Sequence, residues 1–268
     1  MTSLPSLPSL FFELMEELKS PQARTEKIAS IIGRDVAMTA KILQLVNSAF
    51  FGLPQRITDL KRAVAYLGFD TIHSLALSIR VFSQFDQEMF RPFSLETLWN
   101  HSLSTASTAR AITRAEARGQ KAADDAFAAG LLHDVGRLVL AANLPGLYRQ
   151  AVAMMQDGEV HLWEAEYQVL KVTHAEVGAY LLGLWGLPDS IVESAAFHHC
   201  PDKCVGQTFA PITAVHVAEY LDKGENGSDS NPSRAEVDIA YLTRLGLTER
   251  LPIWEAECKR SLPGEGSR

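Results

Sequence analysis

His133 and Asp134 are adjacent in the run Ala128-Ala129-Gly130-Leu131-Leu132-His133-Asp134-Val135-Gly136-Arg137. No charge occurs from 126 to 132, and Val135, Leu138, Val139 and Leu140 continue the apolar pattern. The pair is therefore expected in the middle of an apolar helix. A buried charge without a partner is costly. A divalent metal suits a neutral imidazole and a carboxylate together. The other polar residues embedded in apolar helical stretches of the second half are His101, His174, His198 and His199, with Glu219 downstream. Imidazoles and carboxylates of this kind suit Fe, Mn, Zn or Ni. Such a centre could activate a bound water as a nucleophile.

Each residue also has a structural reading. The His133-Asp134 pair could simply tie helices together by hydrogen bonds. His101 lies among Ser102, Ser104, Thr105, Ala106 and Ser107, where a single histidine could be a satisfied polar group. His174 sits at a helix start, where it could cap or pack. His198-His199 ends a helix, where a histidine can meet free carbonyls. Glu219, taken alone, reads as a solvated helix residue. His73, His161 and His216 join no series and read as surface or core histidines. Cys200 and Cys204 lack the second pair a zinc site needs. Asn47 ends a helix, and its side chain is expected to satisfy backbone groups. Phe50, Phe51, Trp99, Trp163 and Trp185 read as packing residues.

The elements that must position these groups are helices, because apolar residues recur at helical spacing and alternating β-branched runs are missing. Five helices precede a polar stretch at 86–92. Asp35 caps the third, Thr25, Thr58 or Asp59, and Asp70 cap others, and Gly68 stops the fourth. After the boundary, Ser94 caps a helix from Leu95 to about Ala115, and 119–124 makes the turn into the His133-Asp134 helix. Pro145, Pro188 and Pro211 open further helices. Thr173-His174-Ala175-Glu176 fits a capping box. The stretch 222–234 is rich in Gly, Ser, Asn and Asp and reads as a long surface loop. The fold class is all-α: an N-terminal helical bundle (1–90) packed against a second helical domain (91–268).

Composition narrows the function classes. A chain of 268 residues can bury a large core, and the net charge of −7 argues against a non-specific nucleic-acid surface. No apolar run is long enough to span a bilayer, and the first residues lack the pattern of a signal peptide. Three cysteines make no disulfide framework, so a cytoplasmic protein with reduced thiols is the expectation.

The ordered series His, His-Asp, His, His-His in its LLHDVG context resembles the HD phosphohydrolase superfamily. Leu4-Pro5-Ser6-Leu7-Pro8, the stretches Ile31 to Thr39, Asn47 to Gly52 and Ala63 to Gly68, then His174 to Ala179 and Trp185 to Pro188, resemble the HDOD (HD-related output) domain. That resemblance runs from about Leu4 to Leu221. It implies an all-helical bacterial signalling module that acts by protein interaction, often with a degenerate HD core. Here it implies a stand-alone regulator whose partners are other signalling proteins in trans. Metal ligands would be His101, His133, Asp134, His174, His198, His199 and Glu219; no organic cofactor is expected. The related HD-GYP phosphodiesterases keep a similar series, but this chain departs from them. Cys200 to Cys204 replaces the Asp-Gly-x-Gly-Tyr-Pro stretch, Arg137 replaces a lysine, and Glu219 replaces an aspartate. Lys and Arg are not interchangeable at such a site. The alternatives are a metal-dependent phosphohydrolase or phosphodiesterase acting on a nucleotide or cyclic dinucleotide, with Arg137 touching phosphate, and a nucleotide sensor without hydrolysis.

Overall fold

A computed structural model describes residues 9–20, 22–48, 51, 53, 55–85, 94–157, 160–222 and 237–261. The expected boundary at 86–92, the Leu4–Pro8 motif, Phe50, and most of the 222–234 loop lie outside the described residues. Every regular element among the described residues is helical. They divide into two compact units, 9–84 and 85–261.

The first unit holds α1 (Ser9–Lys19), α2 (Thr25–Ile32), α3 (Val36–Val46), α4 (Leu60–Leu67) and α5 (Phe69–Phe82). Ile28, Ile31, Ile32, Ile42, Val64 and Leu75 are buried at helical spacing and form its core. Asp35 and Asp59 cap α3 and α4 by accepting the Met38 and Arg62 N–H groups, each at 2.9 Å. Two expected caps fall differently. Thr25 is the first residue of α2 behind Arg24, and Asp70 lies inside α5, behind Gly68. Gly68 has φ +81°, a conformation in which glycine carries no steric penalty.

The second unit contains α6 (Leu95–Ala115), α7 (Gly119–Leu132), α8 (Val135–Asn143), α9 (Pro145–Gln156), α10 (Leu162–Leu170), α11 (His174–Leu184), α12 (Asp189–Phe197), α13 (Pro211–Leu221), α14 (Ile239–Arg244) and α15 (Leu251–Ser261). Helix α6 packs on α7, α13 and α15, while α11 packs on α8 and α12. Ser94 caps α6 by accepting the Glu96 and Thr97 N–H groups at 3.1 and 3.3 Å. Thr173 and Glu176 form the capping box of α11.

The helices around the His-Asp pair differ from expectation in two places. Helix α7 already starts at Gly119, so 119–124 is helix rather than turn. The His-Asp pair is not mid-helix: α7 ends at Leu132 and α8 begins at Val135, with His133 and Asp134 forming the break. His133 keeps helical angles, whereas Asp134 moves to φ −96°, ψ 8°. Neighbours in an unbroken helix project about 100° apart. The break is what lets both side chains serve one cluster.

Candidate metal centre

Two glycines bring the site helices together. A Cβ on Gly130 would lie 2.7 Å from the Ala106 Cα, so α6 and α7 cross nearly backbone to backbone. That crossing places His101 of α6 near His133 at the end of α7, with ring centroids 5.3 Å apart. A Cβ on Gly136 would collide with the His174 carbonyl oxygen and lie 2.7 Å from the Gly178 nitrogen. Its absence seats the start of α11, and hence His174, against Asp134.

All seven residues singled out as candidate ligands come together. Asp134 stands at the middle. Its Oδ1 lies 3.2 Å from His174 Nε2 and 3.9 Å from His198 Nε2. Its Oδ2 faces the other way, 3.7 Å from His133 Nε2 and 3.8 Å from His101 Nε2. His174 Nε2 is also 2.9 Å from His199 Nε2 and 3.4 Å from His198 Nε2. Glu219 Oε1 lies 2.9 Å from His101 Nε2 and 3.0 Å from His133 Nε2, and it accepts the Thr105 hydroxyl at 3.2 Å. Three overlapping groups could each hold an ion: His174 with His198 and His199, His101 with His133 and Asp134, and His133 with His198 and Glu219.

The donor set fits a metal. Four imidazoles anchor Nδ1 outside the cluster and present Nε2 to it. His133 donates Nδ1–H to the Gly130 carbonyl at 2.7 Å, and His198 to the Ala195 carbonyl at 3.0 Å. His101 Nδ1 pairs with Asp222 and His174 Nδ1 with Glu166, each at 2.6 Å. Anchoring the outer nitrogen in this way fixes ring orientation and aims Nε2 into the cluster. His133 Nε2 is buried and makes no aligned hydrogen bond despite its nearness to Glu219.

The HDOD domain family matches residues 4–201. The chain belongs to the HDOD family. A relative from Treponema pallidum (strain Nichols) is 29% identical over 199 residues, covering 73% of this chain. That match is 37% of the relative's own length. A Marinobacter aquaeolei VT8 structure, provisionally named a signal transduction protein, is 20% identical with a TM-score of 0.73. The match covers 96% of this chain and 58% of that one. A Shewanella amazonensis SB2B structure, provisionally named a phosphohydrolase, is 21% identical with a TM-score of 0.67, covering 97% and 95%. These structural likenesses carry the fold. No helix among the described residues is long and apolar enough to cross a membrane.

Charge in this HDOD core is balanced internally. Burial opposes ionisation of Asp134, but Arg137, then His133 and His174, hold its carboxyl well below the usual carboxylate range. Burial likewise opposes Glu219, and His101 and His133 outweigh it. Burial disfavours a charged His174, yet the Glu166 and Asp134 carboxylates push its pKa up to about 10. His101 is raised well above its ordinary value, because Glu219 and Asp222 outweigh burial. His198 is pushed down to about 3 by burial and by His133 and His174. His199 is lowered by burial and by His198 and His174. Two imidazolium protons therefore stand where a cation would balance the carboxylates. Arg137 places Nη1 2.8 Å from Asp134 Oδ2 and donates from Nε to the Tyr148 hydroxyl at 3.3 Å.

Several functional neighbours escaped the sequence. Glu166 is fully buried and binds both the ring and the backbone N–H of His174, at 2.6 and 2.8 Å. Asp222 belongs to the site and not to a surface loop. Trp163 packs on His199, with ring centroids 6.1 Å apart and planes 20° apart. Of the surface and core readings of His216 the structure shows the core one, buried against the His198 backbone.

Proposed function

We propose that this HDOD protein is a signalling regulator whose HD core holds one or two divalent metal ions and whose output is binding to another protein. The observation that carries the metal reading is the convergence of His101, His133, His174 and His198 Nε2 on the Asp134 and Glu219 carboxylates, with each Nδ1 anchored outside. Asp134, with its two oxygens facing two histidine groups, is suited to bridge two ions. Nitrogen and oxygen donors together favour Fe, Mn, Zn or Ni over Mg or Ca.

The regulatory reading draws support from closure. His133 and Asp134 are 0% and 4% exposed, and His101, among the more open members, reaches 25%. A centre so enclosed is suited to stabilise a state of the fold more than to admit a bulky substrate. Elemental analysis of tag-free protein beside the H133A/D134A double variant tests the metal. Near-stoichiometric or greater metal, lost in the variant, is expected. No uptake after reconstitution with iron, manganese or zinc would remove the metal from the reading. Affinity capture from the native proteome tests the output, and absence of any specific partner would count against it.

A second reading, a metal-dependent phosphohydrolase, is favoured by one observation. Arg137, with 20% of its side chain exposed, sits beside Asp134 where a phosphate could approach. A bound divalent ion would supply Lewis-acid activation of water there. Arg137 would orient the anion, and His101 would border the approach. Turnover of a nucleotide or cyclic dinucleotide by the metal-loaded protein, lost in R137A, would select this reading. Binding without turnover, measured calorimetrically, would select a sensor.

A further inference from the structure

A single peptide joins His198 to His199. Both rings enter the cluster from the end of α12, where carbonyls have no partner within the helix. The carbonyl of that joining peptide belongs to His198. It accepts Nδ1–H of His216, on α13, at 2.7 Å. Fixing this one peptide plane constrains the backbone angles on both sides of it, and so the directions of two consecutive site imidazoles.

The tautomer of His216 is itself set from further along the chain. The Asp238 backbone N–H donates to His216 Nε2 at 2.8 Å. Nε2 therefore accepts, and Nδ1 must carry the hydrogen that reaches the His198 carbonyl. Asp238 is held in turn because its side chain caps α14 through the Tyr241 N–H at 2.8 Å. The Tyr241 hydroxyl bonds Thr213 of α13 at 2.7 Å. His216 is 2% exposed, so this relay works away from bulk water. Residue 238 lies beyond the 4–201 match to the HDOD family.

We infer that His216 is a positioning residue for His198 and His199, locked in its working tautomer by the Asp238 backbone. The segment after residue 236 thereby takes part in shaping the centre. The affinity arm of the test below rests on the metal reading proposed above; the spectroscopic arm does not.

His216→Phe keeps a ring and removes both hydrogen bonds. His216→Asn keeps an N–H near the Nδ1 position. In metal-free protein, H216F should shift the imidazole ¹⁵N resonances of His198 and His199, and H216N should restore them at least in part. Tyr241→Phe, which loses only the Thr213 bond, should leave them in place. Competition against a chelator with Co(II) or Zn(II) should show about a 10- to 100-fold loss of affinity in H216F, the range for residues that orient ligands. If H216F does not fold, the pair D238A and D238P replaces it. Both lose the α14 cap, but only the proline also loses the N–H, and Asp238 already has φ −74°. D238P should then shift the two histidines further than D238A does. Unmoved His198 and His199 resonances in H216F, or in D238P relative to D238A, overturn the inference. If the wild type takes up no metal, the metal reading fails, while the resonances still decide the role of His216.

Discussion

In the N-terminal bundle, Asn47 turns its amide onto the backbone: it donates to the Leu43 and Ile57 carbonyls, each at 2.7 Å, and accepts the Ile57 N–H at 2.8 Å. In the second unit, His133 has one nitrogen on the backbone and leaves the other buried beside a carboxylate. Both are polar residues at helix ends. The first is complete within the fold. The second is complete only on its outer side. A buried polar group left open in this way destabilises the fold unless something occupies it. At His133 the opening faces a cluster of imidazoles and carboxylates, and that is where a ligand is expected.

The sharpest way to break this contrast is Gly136→Ala. The added methyl has no room against the His174 carbonyl and Gly178, and backbone cannot yield as a flexible side chain can. Destabilisation of about 3 kcal/mol or more is expected in denaturant unfolding, from overpacking. Metal uptake should fall with it, because α8 and α11 carry Asp134 to His174. Asn47→Ala comes next. It removes three backbone hydrogen bonds at the end of α3 and should destabilise by about 2 kcal/mol. The metal content of the folded fraction should stay unchanged. If N47A lost metal as G136A does, the division of labour between the two units would be wrong.

What the sequence conveyed, and what it withheld, follows the same division. Helical spacing, Asp35, Asp59, Ser94 and the Thr173–Glu176 box are local signals, and the helices stand where those signals put them. The seven candidate ligands could be collected because histidines are rare and embedded in apolar stretches. The break at Asp134 was hidden. Val135 to Leu140 continue the apolar pattern, and no glycine or proline interrupts the chain between Leu132 and Val135. Glu166, Asp222 and His216 were hidden for another reason. Each acts through a partner between 8 and 121 positions away, and only packing makes those pairs. Asp222 was further disguised by the polar composition that follows it.

A pH series sharpens the contrast less forcefully but probes the open centre directly. In metal-free protein His174 holds its proton up to about pH 10. The unfolded chain loses that proton near about pH 6.5. The stabilisation from His174 is therefore complete below about 6.5 and lost as pH rises towards 10. His198 works in the opposite sense. Its folded pKa is pushed down to about 3, so its contribution is present above about 6.5 and lost as pH falls towards 3. The depressed carboxyls of Asp134 and Glu219 add to the acid loss. Metal-free stability should thus peak near about pH 6.5. Metal displaces the imidazolium protons, so loading should flatten the alkaline limb. Metal-free stability that keeps rising to pH 9 would show that His174 is not charged in the fold.

The smallest effect separates the two kinds of glycine within one helix. Gly178 and Gly183 both lie in α11, but only the first is pressed against α8. A Cβ on Gly183 would meet nothing within 4 Å, and its backbone is helical. Gly183→Ala should therefore stabilise by about 0.5–1 kcal/mol, through reduced freedom of the unfolded chain and better helix propensity. Metal affinity should not change. A Cβ on Gly178 would lie 3.1 Å from the Gly136 nitrogen. Gly178→Ala should therefore lose stability and metal affinity together, in the direction of G136A. Equal behaviour of the two alanine variants would mean that the α8–α11 contact yields easily. The close approach of Gly136 to His174 would then not be what holds His174 against Asp134.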